Sequence, residues 1–220
     1  MIKASDLRIP FTWDERRPVL LDRCLYIPGV YDHEQWTPVP WAELFGNEQP
    51  VFVEYCSGNG QWIGERALQY PHLNWVAVEK RFERARMIWA KSHRESIPNL
   101  YVVCGEGRAF TRFYAPAGSV AEVFVNFPDP WPKRRHEKHR LVSAPFLREL
   151  LRIVEPGGKA TCVTDDQPYA SIMAGEFRKC PKWQSLLVAQ QWPDYGRSFF
   201  SDLWMEKGRT IHYMSYERKQ

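Results

Sequence analysis

Asp129 sits between Pro128 and Pro130, with Trp131 beside it and Pro132 one residue on. Each proline removes an N–H and fixes φ near about −65°, which forbids both continued strand pairing and a helix. The carboxylate is therefore expected on a stiff, extended loop, with the indole as an aromatic face next to it. Lys133, Arg134, Arg135, Lys138 and Arg140 follow, with His136 and His139 interleaved. An acid, a flat aromatic and a dense basic run together suggest a site for a polyanion carrying aromatic bases. A solvated basic loop with Trp131 packed as a staple is the plainer alternative, because a Lys/Arg-rich run alone is a weak signal. Two histidines with no acid or thiol at matching spacing do not make a metal site, so no metal is expected.

Something must position that loop. Val120, Val123, Phe124 and Val125 form an apolar run ending at Asn126, which suits a strand buried on both faces. The same rhythm precedes and follows it. Strands are predicted over Val51–Glu54, Asn74–Glu79, Leu100–Cys104, Val120–Asn126 and Lys159–Thr164, with two more near Trp183–Val188 and Ile211–Tyr216. Helices are predicted over Gln61–Gln69, Phe82–Ser92, Leu141–Val154 and Tyr169–Phe177, the third ended by Pro156-Gly157-Gly158. Strands separated by helices of this length imply an α/β fold: a Rossmann-like, doubly wound, mainly parallel seven-stranded sheet with helices on both faces. Residues 1–49 carry Pro10, Pro18, Pro28, Pro38 and Pro40 and little periodicity. They read as an irregular N-terminal arm packed on a main domain at 50–220, with one short helix near Trp41–Phe45.

In such sheets ligands bind beyond the carboxyl ends of the strands. Glu54 and the Gly58-Asn59-Gly60 turn follow the first predicted strand, Glu79 ends the second, Glu106 follows the third and Asp129 the fourth. Glycines there let backbone approach a ligand closely, and an acid at the position of Glu79 can take the two hydroxyls of an adenosine ribose. Four acids around one crevice would repel a pyrophosphate. They suit a cofactor with a cationic centre and no phosphate, for which S-adenosylmethionine is the candidate. The next glycine after Gly60 is Gly64, too late for a G-x-G-x-x-G pyrophosphate turn.

The totals bound these readings. A chain of 220 residues supports one α/β domain, and 44% apolar with 25% charged residues are ordinary globular values. A net charge of +4 is modest, so nucleic-acid contact has to come from local clustering. Cys24, Cys56, Cys104, Cys162 and Cys180 are odd in number and never spaced as C-x-x-C. That points to reduced thiols in a cytoplasmic protein and away from a structural zinc site. No h-region follows Met1 and no apolar run approaches about eighteen residues, so neither a secretory signal nor a membrane span is expected.

The block N-F-P-D-P-W-P-K-R-R-H at Asn126–His136, with Lys138 and Arg140 beyond it, resembles the signature of the tRNA (guanine-N7-)-methyltransferase family. The likeness extends to E-Y-C-S-G-N-G at Glu54–Gly60, V-E at Val78–Glu79, P-G-G at Pro156–Gly158 and T-D at Thr164–Asp165. It implies a class I S-adenosylmethionine-dependent methyltransferase fold and methylation of N7 of a guanosine in the tRNA variable loop. By the resemblance Glu54, Gly58, Gly60, Glu79, Glu106 and Asp129 line the cofactor site, with Asp129 at the reaction centre. Lys133, Asp165 and Ser198 would contact the tRNA, and no protein partner subunit is indicated. Three positions depart from the pattern. Cys56 replaces the first glycine of E-x-G-x-G-x-G, and His139 replaces an arginine. The C-terminal T-x-x-E element reads Ser198-Phe199-Phe200-Ser201-Asp202, its carboxylate absent or shifted to Asp202.

Guanine N7 is an unprotonated lone pair at neutral pH, so no general base is required and the task is in-line positioning. Asp129 is then expected to act electrostatically on the charge moving to the base. Asp165 is expected to read the guanine N1–H and amino edge, or else to cap the following helix. Trp131 is a stacking surface for a displaced base or a packing residue. Methylation of another RNA, a protein or a small molecule by the same cofactor is one alternative. A catalytically silent RNA-binding module is another.

Overall fold

The computed structural model describes residues 2–8 and 16–220, so Pro10 of the expected arm lies outside the described residues. The chain divides into two compact units, Met1–Pro116 and Ala117–Gln220.

In the first unit the elements are β1 (Val19–Leu21), β2 (Cys24–Tyr26), α1 (Trp41–Phe45), β3 (Val51–Tyr55), α2 (Gln61–Gln69), β4 (Asn74–Glu79), α3 (Phe82–Arg94), β5 (Leu100–Cys104) and α4 (Gly107–Ala109). A π-helical turn, Phe110–Tyr114, prolongs α4. The strands lie in the order β1-β2-β5-β4-β3, with β3, β4 and β5 mutually parallel in that order. Every residue of β4 and β5 is buried. That is the burial expected of a parallel strand covered on both faces, and it explains their unbroken apolar runs.

The arm is less irregular than its composition suggests. β1 and β2 form a hairpin, and β2 extends the sheet by pairing in parallel with β5, Cys24 opposite Val102 and Tyr26 opposite Cys104. Its two-residue turn, Asp22-Arg23, has φ of 44° and 58°, a conformation usually taken by Asn-Gly. Long-range contacts hold it there. Asp22 pairs with His93 at 3.0 Å, Arg23 donates to the Ile97 carbonyl at 2.7 Å, and the Trp89 indole donates to the Asp22 carbonyl at 3.0 Å. No local sequence signal announces such a hairpin.

The second unit contains β6 (Val120–Asn126), α5 (Ala144–Ile153), β7 (Val154–Thr164), α6 (Gln167–Arg178), β8 (Trp183–Ala189), α7 (Phe199–Glu206) and β9 (His212–Arg218). Its strand order is β6-β7-β9-β8, parallel between β6 and β7 and antiparallel at β9 and β8. Phe146, Leu147, Leu150 and Ile153 form the buried face of α5. The predicted helix began too early and ended too late: Ser143 is its N-cap, and it stops at Ile153. Pro156-Gly157-Gly158 does not terminate the helix but lies inside β7, where pairing with β6 shifts register between Val120 and Glu122. Gly157 has φ of 82°, and a Cβ on Gly158 would meet the Ala121 carbonyl oxygen at 2.7 Å. The glycines therefore serve a strand irregularity, where backbone passes close to backbone.

None of the five cysteines is in a disulfide. Burial pushes the thiols of Cys24, Cys104 and Cys162 up to about 12. Among the described residues no helix is long and apolar enough to cross a membrane.

Candidate functional site

The first unit gathers its predicted residues at the carboxyl ends of β3, β4 and β5. Glu54, on β3, is 2% exposed. Directly after the strand the chain turns through Cys56, Gly58 and Gly60, with φ of 63°, 58° and 74°. Ser57 donates from its hydroxyl to the Glu54 carbonyl at 3.0 Å, and the Gly60 N–H donates to the Ser57 carbonyl at 2.9 Å. Gly60 opens α2, and a Cβ there would lie 2.8 Å from Ile88 of α3. Glycine is thus required at Gly60 by both backbone conformation and helix packing. Cys56 takes the left-handed conformation without being glycine, so the turn has to hold it there.

Glu79 does that holding. One carboxylate oxygen accepts the Gly58 N–H at 2.9 Å and the other the Arg81 N–H at 2.8 Å. Burial pushes its carboxyl above the ordinary glutamate range, against the pull of those two N–H bonds. The main-chain carbonyl of Glu79 accepts from Gly105, and Glu79 pairs in register with Cys104, two residues before Glu106. Glu106 caps α4, one oxygen accepting from Arg108 N–H at 2.8 Å and from Ala109 N–H at 3.0 Å. These acids, expected to face a ligand, also fasten backbone, which their sequence positions do not announce. Buried Ser57 was missed as well.

The set fits S-adenosylmethionine on its donor chemistry. Carboxylates that accept only, anchored by N–H groups and lining a glycine turn, suit hydroxyls, an amine and a sulfonium, and would repel phosphate.

In the second unit β6 ends at buried Asn126, whose side-chain oxygen accepts from the Tyr195 hydroxyl. Phe127 and Trp131 then take φ of 49° and 43°, so the Pro128-Asp129-Pro130 segment is bounded by two non-glycine left-handed corners. The expected loop is therefore cornered at both ends. Pro128 is buried and Asp129 exposed. Lys133 is exposed and precedes a 3-10 turn, Arg134–His139, in which Arg134, Arg135 and Lys138 are also exposed. Trp131 packs against His139 and His136, with ring centroids 5.2 and 5.7 Å away. Arg140, counted in the basic run, instead donates from Nε to the Pro130 carbonyl at 3.0 Å and from Nη2 to the Trp131 carbonyl at 3.1 Å.

Asp165 follows β7 and is ion-paired with Arg209, whose guanidinium lies 4.1 Å from the centroid of the Trp204 ring. The helix cap weighed for Asp165 belongs to Asp166, which accepts the Tyr169 N–H at 2.8 Å. Ser198 caps α7 in a reciprocal box: its hydroxyl accepts the Ser201 N–H at 3.0 Å, and the Ser201 hydroxyl accepts the Ser198 N–H at 2.8 Å. Ser201 thus stands at the glutamate's position of T-x-x-E, and its hydroxyl closes the capping box. Asp202 points elsewhere, to Arg197 at 2.9 Å. The Asp129 loop, Asp165 and Ser198 gather at one end of this sheet. The Phe127 N–H donates to the Val163 carbonyl at 2.8 Å, and the Phe127 ring lies 6.1 Å from that of Phe200.

A family described as "Putative methyltransferase" matches residues 48–212. A protein of Chlamydia caviae named tRNA (guanine-N(7)-)-methyltransferase is 40% identical over 221 residues, covering 99% of each chain. The protein of the same name from Chlamydia abortus is 41% identical, again over 99% of each. Among solved structures the 16S rRNA methyltransferase KamB superposes with a TM-score of 0.63 over 82% of this chain and 93% of its own. Its identity is only 16%, so it speaks for the class I methyltransferase fold alone. Identity of this depth over the whole length leaves one conclusion: the chain belongs to the tRNA (guanine-N7-)-methyltransferase family.

Proposed function

We propose that this chain transfers a methyl group from S-adenosylmethionine to N7 of a guanosine in tRNA, by resemblance one in the variable loop, forming 7-methylguanosine. The observation that carries the reading is Asp129. It is an exposed carboxylate on a doubly cornered loop, immediately followed by exposed Lys133, Arg134 and Arg135. When bound, the cofactor supplies an electrophilic methyl on a sulfonium.

Glu54, Gly58, Gly60, Glu79 and Glu106 are proposed to hold that cofactor. Glu79 offers its carboxylate to the ribose hydroxyls while its two N–H bonds keep the glycine turn closed. Asp129 orients the acceptor base and stabilises the positive charge that develops on the purine. Such preorganised electrostatics is worth about 10²–10³ in rate for one group. No residue has to remove a proton, because N7 is already a free lone pair. Lys133 is proposed to hold phosphate without reading sequence. Asp165 is proposed to accept from the guanine edge, its carboxylate oriented by Arg209, and Ser198 to contact the same nucleotide. With Ser201 in the glutamate's place, this chain reads the base without that acid. Cysteines outside any disulfide support a reducing, cytoplasmic setting.

The test is incubation with methyl-labelled S-adenosylmethionine and unmodified tRNA, followed by nucleoside mapping. Label in 7-methylguanosine is expected. Label in another nucleoside or in protein would replace the acceptor, and tRNA binding without any transfer would make the chain a binding module.

A further inference from the structure

We propose that Arg140 is a positioning residue, not a phosphate contact: its guanidinium holds the Asp129 loop in its working conformation. The inference rests on the reading of Asp129 given above and adds the group that acts through it. Arg140 is the last cation of a run whose other arginines, Arg134 and Arg135, face solvent. It alone among these three turns back. Nε reaches the Pro130 carbonyl at 3.0 Å and Nη2 the Trp131 carbonyl at 3.1 Å. The guanidinium carbon lies 5.9 Å from the ring centroid of Tyr169, a side chain 1% exposed on α6. The backbone of Arg140 is fixed in turn by its N–H on the Glu137 carbonyl at 3.0 Å.

The loop needs such a clamp. Trp131, at φ of 43°, occupies a conformation that a bulky L-residue adopts only when its surroundings impose it. At the other corner Phe127 is tied by its own N–H to the Val163 carbonyl. Pro128, Pro130 and Pro132 have no N–H with which to make a similar tie, and the groups that Arg140 grips are carbonyls, those of Pro130 and Trp131. Two carbonyls on consecutive residues call for a planar donor with two parallel N–H groups. Arginine provides this and lysine does not.

Arg140→Ala and Arg140→Lys are each assayed for tRNA methylation across a salt series, with S-adenosylmethionine affinity and thermal stability measured alongside. The clamp predicts that kcat falls about 10- to 100-fold through displacement of Asp129. The KM for tRNA and its salt dependence should stay near wild type, cofactor affinity should hold, and lysine should not rescue. A phosphate contact predicts the opposite split: kcat kept, KM raised, and a log–log salt slope shallower by about 0.7. That result, or wild-type kcat in Arg140→Lys, would overturn the proposal. Should Arg140→Ala fail to fold, Arg140→Lys decides. A second readout does not depend on the acceptor: the fluorine NMR line of Trp131 in 5-fluorotryptophan-labelled protein, assigned with Trp131→Phe. The line should shift or broaden in Arg140→Lys, and an unmoved line sinks the clamp. If wild type methylates no tRNA, the functional reading fails while this line still judges the clamp.

Discussion

The glycine turn at Cys56–Gly60 and the loop at Phe127–Arg140 both rest on non-glycine residues in the left-handed region: Cys56 in one, Phe127 and Trp131 in the other. They are fastened in opposite senses. In the turn a carboxylate, Glu79, accepts backbone N–H groups at Gly58 and Arg81. In the loop a guanidinium, Arg140, donates to backbone carbonyls at Pro130 and Trp131. Each charge is matched to the backbone groups that its segment leaves over. Gly58 and Arg81 offer N–H, whereas each proline of the loop offers only C=O. The consequence differs too. The turn keeps its acid buried and presents an accepting surface, while the loop spends its cation internally and leaves Asp129 in the open.

This contrast can be broken first at Asp129. Asp129→Ala should lower single-turnover methylation about 10²–10³-fold with thermal stability unchanged, because the residue is exposed and supports no packing. Near-wild-type turnover would remove the loop from the chemistry. Next comes Gly60→Ala, which meets Ile88 at 2.8 Å from a backbone at φ of 74°. It should cost about 1–3 kcal/mol in denaturant unfolding and weaken S-adenosylmethionine binding measured by calorimetry. Loss of turnover at full cofactor affinity would contradict the division of labour. Ser201→Ala removes one half of the α7 capping box and should cost about 1 kcal/mol. If its effect on the KM for tRNA far exceeded that of a lost cap, Ser201 would itself contact the nucleic acid.

The smallest effect concerns half-buried Glu122 on β6, whose carboxyl is pushed upward by burial, against the opposing pull of Lys159 and a Thr161 hydroxyl bond. The folded chain then binds that proton more tightly than the unfolded one. The stabilisation is complete below the ordinary glutamate value, about 4.3, and is lost as pH rises through the raised value. Glu122→Gln should therefore match wild type in acid and exceed it in denaturant unfolding at neutral pH. Unchanged activity in the same variant would show that a buried acid away from the turn and loop has no part in transfer.

Much of this molecule was legible before its coordinates. The strand–helix alternation, the acids at the strand ends, the glycine turn and the proline-bounded aspartate all follow from side-chain periodicity and from glycine and proline stereochemistry, which act within a few residues. Their positions held, though Pro156-Gly157-Gly158 illustrates the limit. A breaker motif says that regular hydrogen bonding is disturbed, and β7 shows that the disturbed element was a strand, not a helix.

What the residues could not announce was partnership across long sequence separations. The Val19–Tyr26 hairpin is held by His93, Trp89 and Ile97. Asp165 is met by Arg209, and Arg140 turns inward although its neighbours in the same basic run turn out. A cation carries no mark in the sequence of whether it will face phosphate or a main-chain carbonyl. That choice depends on which acceptors folding brings within about 3 Å, the reach of a hydrogen bond, and only the tertiary structure decides it.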